Sequence, residues 1–207
     1  MLQPRSQGPY LTPLKREDTP ELEGTYQDLI GFLGFVPNTE LTMARMPRTT
    51  KALIDFVLSI YGNSEVGQQL LMLCGLLASS SAGCMYCSTH NANAASDLGV
   101  DAQKIAAVWE FETHPIFDDR ERAALNLAFK ACQTPSAVEP EDFERMAPYF
   151  SETETAEILM AMCHFGIFNR FNDSIAATIE PTPLAFCKAN LPSEHWQAGA
   201  HDDSSAG

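Results

Sequence analysis

Positive charge is scarce in this chain. Thirteen lysines and arginines stand against 27 aspartates and glutamates in 207 residues, a formal net charge of −14. Phosphate backbones are gripped by clustered Lys and Arg, so this composition argues against a nucleic-acid partner and for a well-solvated acidic surface. Long apolar runs are missing too. The stretch from Leu70 to Ala78 falls well short of the roughly 20 residues that span a bilayer, which argues against a membrane protein. The first residues, Met1-Leu2-Gln3-Pro4-Arg5, lack the apolar region of an export signal, so a cytoplasmic location is expected. No run of alternating β-branched residues bounded by turns occurs, which leaves an all-α fold. Six cysteines are present, yet the chain is neither small nor cysteine-dense as disulfide scaffolds are. Cys74, Cys132 and Cys163 lie in apolar helical context, as small hydrophobes do.

Helical spacing organises most of what is present. Residues 1–19 carry three prolines and no apolar period, and read as an extended arm able to wrap a partner subunit. A helical domain over residues 20–192 follows, and 193–207 reads as a disordered tail. Within the domain, helices are expected over Glu21–Leu33, from Asn38 or Thr39 to Arg45, from Pro47 to Gly62, and from Ser64-Glu65 to Ala78. The last of these is apolar on most faces and therefore central. Asp101 and Asp118 or Asp119 are expected to cap later helices, and Pro140 suits a first turn. Ser151 with Glu154 reads as a capping box for a long helix to about Ile179, closed by Pro181 and Pro183, with a turn or two more over 182–191.

The chemistry-bearing stretch is Cys84-Met85-Tyr86-Cys87-Ser88-Thr89-His90. Two thiols three residues apart, with an imidazole three further on, share one helical face. Thiolates are the reactive form of cysteine and are favoured at a helix N-terminus beside a protonatable histidine, so the pattern points to thiol–disulfide redox chemistry. Zinc is the weaker reading of the same residues, since structural zinc takes four ligands and no second CxxC or spaced histidine pair exists.

Four stretches, in order, resemble the AhpD-like superfamily, which contains carboxymuconolactone decarboxylases and AhpD-type thiol peroxidases. They are Thr42-Met43-Ala44-Arg45-Met46-Pro47, Gly83-Cys84-Met85-Tyr86-Cys87, Ala107-Val108-Trp109-Glu110-Phe111-Glu112 and Phe168-Asn169-Arg170-Phe171-Asn172-Asp173. The resemblance implies a helical hairpin presenting the thiols and a homo-oligomer. It implies Cys87 as the peroxidatic thiol, Cys84 as the resolving one, and His90 in the proton relay. It further implies a small peroxide or disulfide substrate, a thiol reductant, and no metal or organic cofactor.

Two positions depart from the pattern. The usual histidine lies four residues after the second cysteine, where Asn91 stands here, and the usual glutamate twelve residues before the first cysteine is Met72. Glu65 is too far back to replace it. Asn169, Asn172 and Asp173 are therefore expected to supply polar groups to the pocket, with Asp173 as replacement base or histidine orienter. Tyr86 and Trp109 read first as packing residues, His114 as structural, His164 as a satisfied core histidine, and His195 and His201 as tail residues. The alternatives to peroxidase action are an oligomer whose chemistry has lapsed, suggested by Met72, and a lactone decarboxylase.

Overall fold

The computed structural model describes residues 8–202, and among them every regular element is helical. Ten α-helices run in order: α1 (Glu23–Leu33), α2 (Asn38–Met43), α3 (Pro47–Tyr61), α4 (Gln68–Ser81), α5 (Met85–Asp97), α6 (Ala102–Ala106), α7 (Asp119–Ala131), α8 (Pro140–Met146), α9 (Glu152–Ile175) and α10 (Pro181–Asn190). None is long and apolar enough to cross a membrane.

The sequence places α4 at the centre for a simple reason. Every residue from Leu70 to Ser79 is buried, so the helix has no polar face to give to water. It forms a hairpin with α5 and packs against α7 and α9 on its other sides. One small residue makes this crowding possible. A Cβ on Gly75 would stand 2.4 Å from Asn91 Oδ1 of α5 and 2.5 Å from the Phe165 ring of α9.

Side-chain caps set several boundaries as expected. Asp101 accepts from the Gln103 amide, and full capping boxes join Asp118 to Glu121 and Ser151 to Glu154. Elsewhere tertiary contacts override the local reading. Ser64 and Glu65 do not open α4: the Ser64 hydroxyl and the Glu65 amide both bond to the Glu157 carboxylate, and the Gly67 amide donates to Ser64 Oγ, so the segment is held as a turn. The long helix stops at Ile175 rather than Ile179, because Ala176 turns left-handed at φ 49° and its amide closes on Asn172 and Asp173 carbonyls. Pro181 then starts α10 instead of closing α9, a position where its missing amide costs nothing.

The two ends also differ from their expected character. Residues 1–7 lie outside the described residues. From Gly8 the arm lies on its own chain, with the Tyr10 amide donating to the Ile175 carbonyl and the Leu14 amide to that of Leu41. The disorder expected from Ser193 does not describe residues 193–202. Trp196 is buried and its Nε1–H donates to Thr89 Oγ1 of α5 at 2.9 Å, while buried His201 bonds the Ala177 carbonyl. Residues 203–207 lie outside the described residues.

Candidate active site

Gly83 places the thiols. At φ 79° it takes the left-handed conformation that reverses the chain after α4, and the Cys84 amide then donates back to the Ser79 carbonyl. Cys84 becomes the N-cap of α5, with Cys87 one turn inside the helix. Both cysteines are free thiols, and both are buried. Their environments differ. Cys87 lies in the wall of a cavity of about 90 Å³ bordered by α1, α2, α3, α4, α5 and α9, whereas Cys84 lies outside that wall.

The two thiols differ in acidity. The Cys87 thiol and the first turn of α5 face the Cys84 sulfur and hold its pKa below the ordinary thiol value despite burial. Burial, reinforced by the charge on Cys84, pushes Cys87 well above that value, while the Asn172 Nδ2–H, 3.3 Å from its sulfur, works the other way. Cys84 is thus the more acidic thiol of the pair, and Cys87 presents the less acidic one to the cavity.

His90 is not positioned to take that proton. Its Nδ1–H donates to the Tyr86 carbonyl at 2.8 Å, and Nε2 meets Glu180 Oε2 at 2.5 Å. Both ring nitrogens face acceptors, which fits an imidazolium paired with a carboxylate. Burial alone would push His90 down, but Glu180 outweighs it and holds the pKa above the ordinary value. In turn burial opposes the charge on Glu180, and the His90 pair outweighs that and keeps it ionised. His90 thus contributes a buried positive charge near the thiols, not a direct base on Cys87, which corrects the relay expected from its spacing.

The carboxylate that faces His90 comes from Glu180, far along the chain from Met72. It stands at the N-cap of α10 and also accepts from Tyr86 Oη at 3.0 Å and from the Asn38 amide. Tyr86, expected to be packing, is consequently part of the network. Its ring stacks on His90 with centroids 4.2 Å apart, and its hydroxyl also accepts from the Thr39 amide. Met72 itself lines the cavity, in contact distance of the site but without acid–base capacity.

The polar stripe expected on α9 divides. Asn172 is fully buried and bridges Cys87 to Thr39, accepting from the Thr39 hydroxyl at 2.7 Å. Asn169 is buried, but it borders a different groove beside Cys132 and Arg170, and its side-chain amide lacks a partner. Asp173 is largely exposed and reaches toward His201 at 3.8 Å, so it is neither base nor histidine orienter. Successive residues are turned about 100° on a helix, and 172 and 173 cannot both face inward. Asn91 lines the cavity and its Nδ2–H donates to the Cys87 carbonyl, a helix-internal bond rather than the histidine's role.

Two acids or donors of the cavity escaped the sequence reading altogether. Glu40 of α2 is buried with Oε2 unpartnered, and burial, with the Glu180 carboxylate adding to it, pushes its pKa up to about 8. Tyr61 of α3 is buried with its hydroxyl unpartnered, and burial raises it also. His164 is buried as expected but not satisfied: Nδ1 has no hydrogen bond, and burial pushes the imidazole down to about 3, so it is neutral. The rest of the wall is apolar and aromatic, including Phe32, Phe165 and Phe168. Of the remaining singled-out side chains, Trp109 stacks on His195, which is therefore not a loose tail residue, and Cys163 is exposed rather than packed. Among the described residues no three His, Cys, Asp or Glu side chains converge as metal ligands.

Known proteins share this frame. The carboxymuconolactone decarboxylase family matches residues 47–130. The debrominase Bmp8 in its apo form is 34% identical, with a TM-score of 0.81, over 86% of this chain and 96% of that one. Its C82A variant in complex with 2,3,4-tribromopyrrole is 33% identical, with a TM-score of 0.82, over the same shares. An uncharacterised peroxidase-related protein with an alkylhydroperoxidase AhpD core, from Ralstonia eutropha JMP134, has a TM-score of 0.72 at 20% identity over 84% of this chain and 92% of that one, a likeness of fold alone. No curated protein sequence matches the chain.

Proposed function

The chain belongs to the superfamily of AhpD and carboxymuconolactone decarboxylase, and on that premise we propose that it is a dithiol reductase acting on small halogenated aromatic rings. The observation that carries the reading is the placement of Cys87 in the wall of a ring-lined cavity with Cys84 beside it, outside that wall. A thiol pair delivers two electrons as it closes to a disulfide. Applied to a carbon–halogen bond, the balance is one ring–halogen bond and two thiols in, one ring–hydrogen bond, one hydrogen halide and one disulfide out.

The cavity favours such a substrate on two grounds. Its size and aromatic wall suit a single flat ring. Its unpartnered Tyr61 hydroxyl and His164 nitrogen suit a ring bearing an N–H or O–H, since each unmet buried polar atom costs about 1–3 kcal/mol that a ligand would recover. The substrate named for Bmp8, a brominated pyrrole, has that character. Glu180 supports an active site over a lapsed one, because it faces His90 with a carboxylate that Met72 cannot offer.

With an external dithiol present, bromide release from a brominated pyrrole or phenol should require both cysteines. Cys87→Ser should abolish it, and Cys84→Ser should stop after the first event with Cys87 modified. Release by Cys87→Ser at the wild-type rate would refute the reading. Peroxide reduction is the second reading, favoured by the same His90–Glu180 pair, and it predicts faster turnover of tert-butyl hydroperoxide than of any haloaromatic. Lactone decarboxylation, the activity in the family's name, would survive alkylation of the thiols.

A further inference from the structure

We propose that Glu40 is the proton donor of this site, delivering to the ring carbon the hydrogen that replaces the halogen. The inference rests on the dehalogenation reading above and adds a catalytic residue to it.

Three observations place Glu40 in that role. It bears a carboxyl in the cavity wall, and unlike Glu180 it is not hydrogen-bonded by His90, Tyr86 or the Asn38 amide. Its Oε2 is buried and without a hydrogen bond, in a side chain that lines the same cavity as Cys87. An unpaired carboxyl oxygen in an apolar wall is tolerable when the group is neutral, and a neutral carboxyl is an acid looking for an acceptor. The charged groups around it agree. The Glu180 carboxylate opposes ionisation of Glu40, while its own backbone amide and His90, whose charge is already matched by Glu180, favour it without outweighing burial.

The step balances as follows. Cys87 passes its proton to the Cys84 thiolate as its sulfur takes the halogen; a sulfur–halogen bond forms, and the carbon–halogen bond breaks with its electron pair left on carbon. Glu40 protonates that carbon, giving the ring C–H. Cys84 then loses its proton, which returns through water to the Glu40 carboxylate, and its sulfur attacks that of Cys87. The disulfide forms and halide leaves. One thiolate, one thiol and the haloaromatic become a disulfide, a halide ion and the dehalogenated ring, with Glu40 regenerated.

The test compares two reactions of the full-length reduced protein. Bromide release from 2,3,4-tribromopyrrole needs a proton on carbon, whereas exchange with 2,2′-dithiodipyridine reads thiol access and reactivity and needs none. Glu40→Gln keeps size and polarity but has no proton to give. It should slow bromide release by about 100-fold while exchange stays within about threefold of wild type, and Glu40→Asp should recover part of the loss. Glu40→Gln releasing bromide at the wild-type rate overturns the assignment and leaves the dithiol reading standing. Loss of both reactions in Glu40→Gln also overturns it, by making Glu40 a structural support of the cavity. If the wild type itself releases no bromide, the dehalogenation reading falls and takes the assignment with it.

Discussion

Glu180 is the residue through which the site's charges balance. It pairs with His90, accepts from Tyr86 and ties the start of α2 to the start of α10 through Asn38. Replacing it by Gln leaves a buried imidazole without its carboxylate, at a cost of about 3 kcal/mol. His90 has its folded pKa raised from 6.5, so its share of the stability is full below that value and is lost as pH rises through the raised one. Glu180 has its folded pKa lowered from 4.5, so its share is present above that value and is lost as pH falls through the lowered one. The stability gap between wild type and Glu180→Gln should therefore be widest between about pH 4.5 and 6.5 and narrow on both sides, as denaturant melts across pH will measure. Asn172 acts on the thiol directly. Asn172→Asp exchanges a donor for a negative charge beside Cys87, and iodoacetamide labelling of Cys87 at pH 8 should slow by about tenfold, with little change at Cys132 or Cys163. Of these residues the cysteines and His90 were legible in the sequence because one helix carries all three. Glu180 was not. It lies 90 residues from His90, on the far side of α9, and before Pro181 it reads as a linker residue. Asp173 shows the opposite error, a residue with the right chemistry on the wrong side of its helix.

At the scale of elements, the hairpin of α4 and α5 sets the distance between the thiols and the cavity's far wall on α9. Gly75 is its tightest point. Gly75→Ala drives a methyl into Asn91 and Phe165, two residues of the cavity wall, and should lower stability by about 1–3 kcal/mol while also weakening binding of a brominated ring measured by calorimetry. The end of α9 offers a change of opposite sign. Ala176 carries the left-handed turn at φ 49°, which costs an L-residue about 1–2 kcal/mol, so Ala176→Gly should raise the unfolding free energy by about 1 kcal/mol without altering the site. Helix starts were readable from sequence wherever a local side chain caps them, as at Asp101, Asp118 and Ser151. The starts of α4 and α10 and the end of α9 were not, because Glu157 and Ala176 decide them through contacts and backbone geometry that no local spacing encodes.

The described molecule is a set of helices laid around α4, with the segments from Gly8 and up to Asp202 folded back over α5 and α9. Trp196 and His201 belong to this cover, the first bonded to Thr89 in the cysteine helix and the second to Ala177. A chain ending at residue 192 should melt at lower temperature and react faster with 2,2′-dithiodipyridine, since Thr89, which Trp196 holds, lies within a turn of Tyr86, Cys87 and His90 on α5. The overall architecture was legible because α-helical spacing dominates the sequence and no strand pattern competes with it. The cavity was not, because its acid and its unpartnered polar groups come from α2, α3 and α9, which nothing in the primary order brings together. The central claim is that the Cys84–Cys87 pair reduces a carbon–halogen bond using its own electrons. The most direct measurement takes fully reduced protein, removes all external thiol, adds excess 2,3,4-tribromopyrrole, and counts bromide and remaining thiols. About one bromide released per chain, with two thiols lost and a Cys84–Cys87 disulfide found by peptide mapping, is the expected result. Bromide release without loss of those thiols, or thiol loss without bromide, would contradict it.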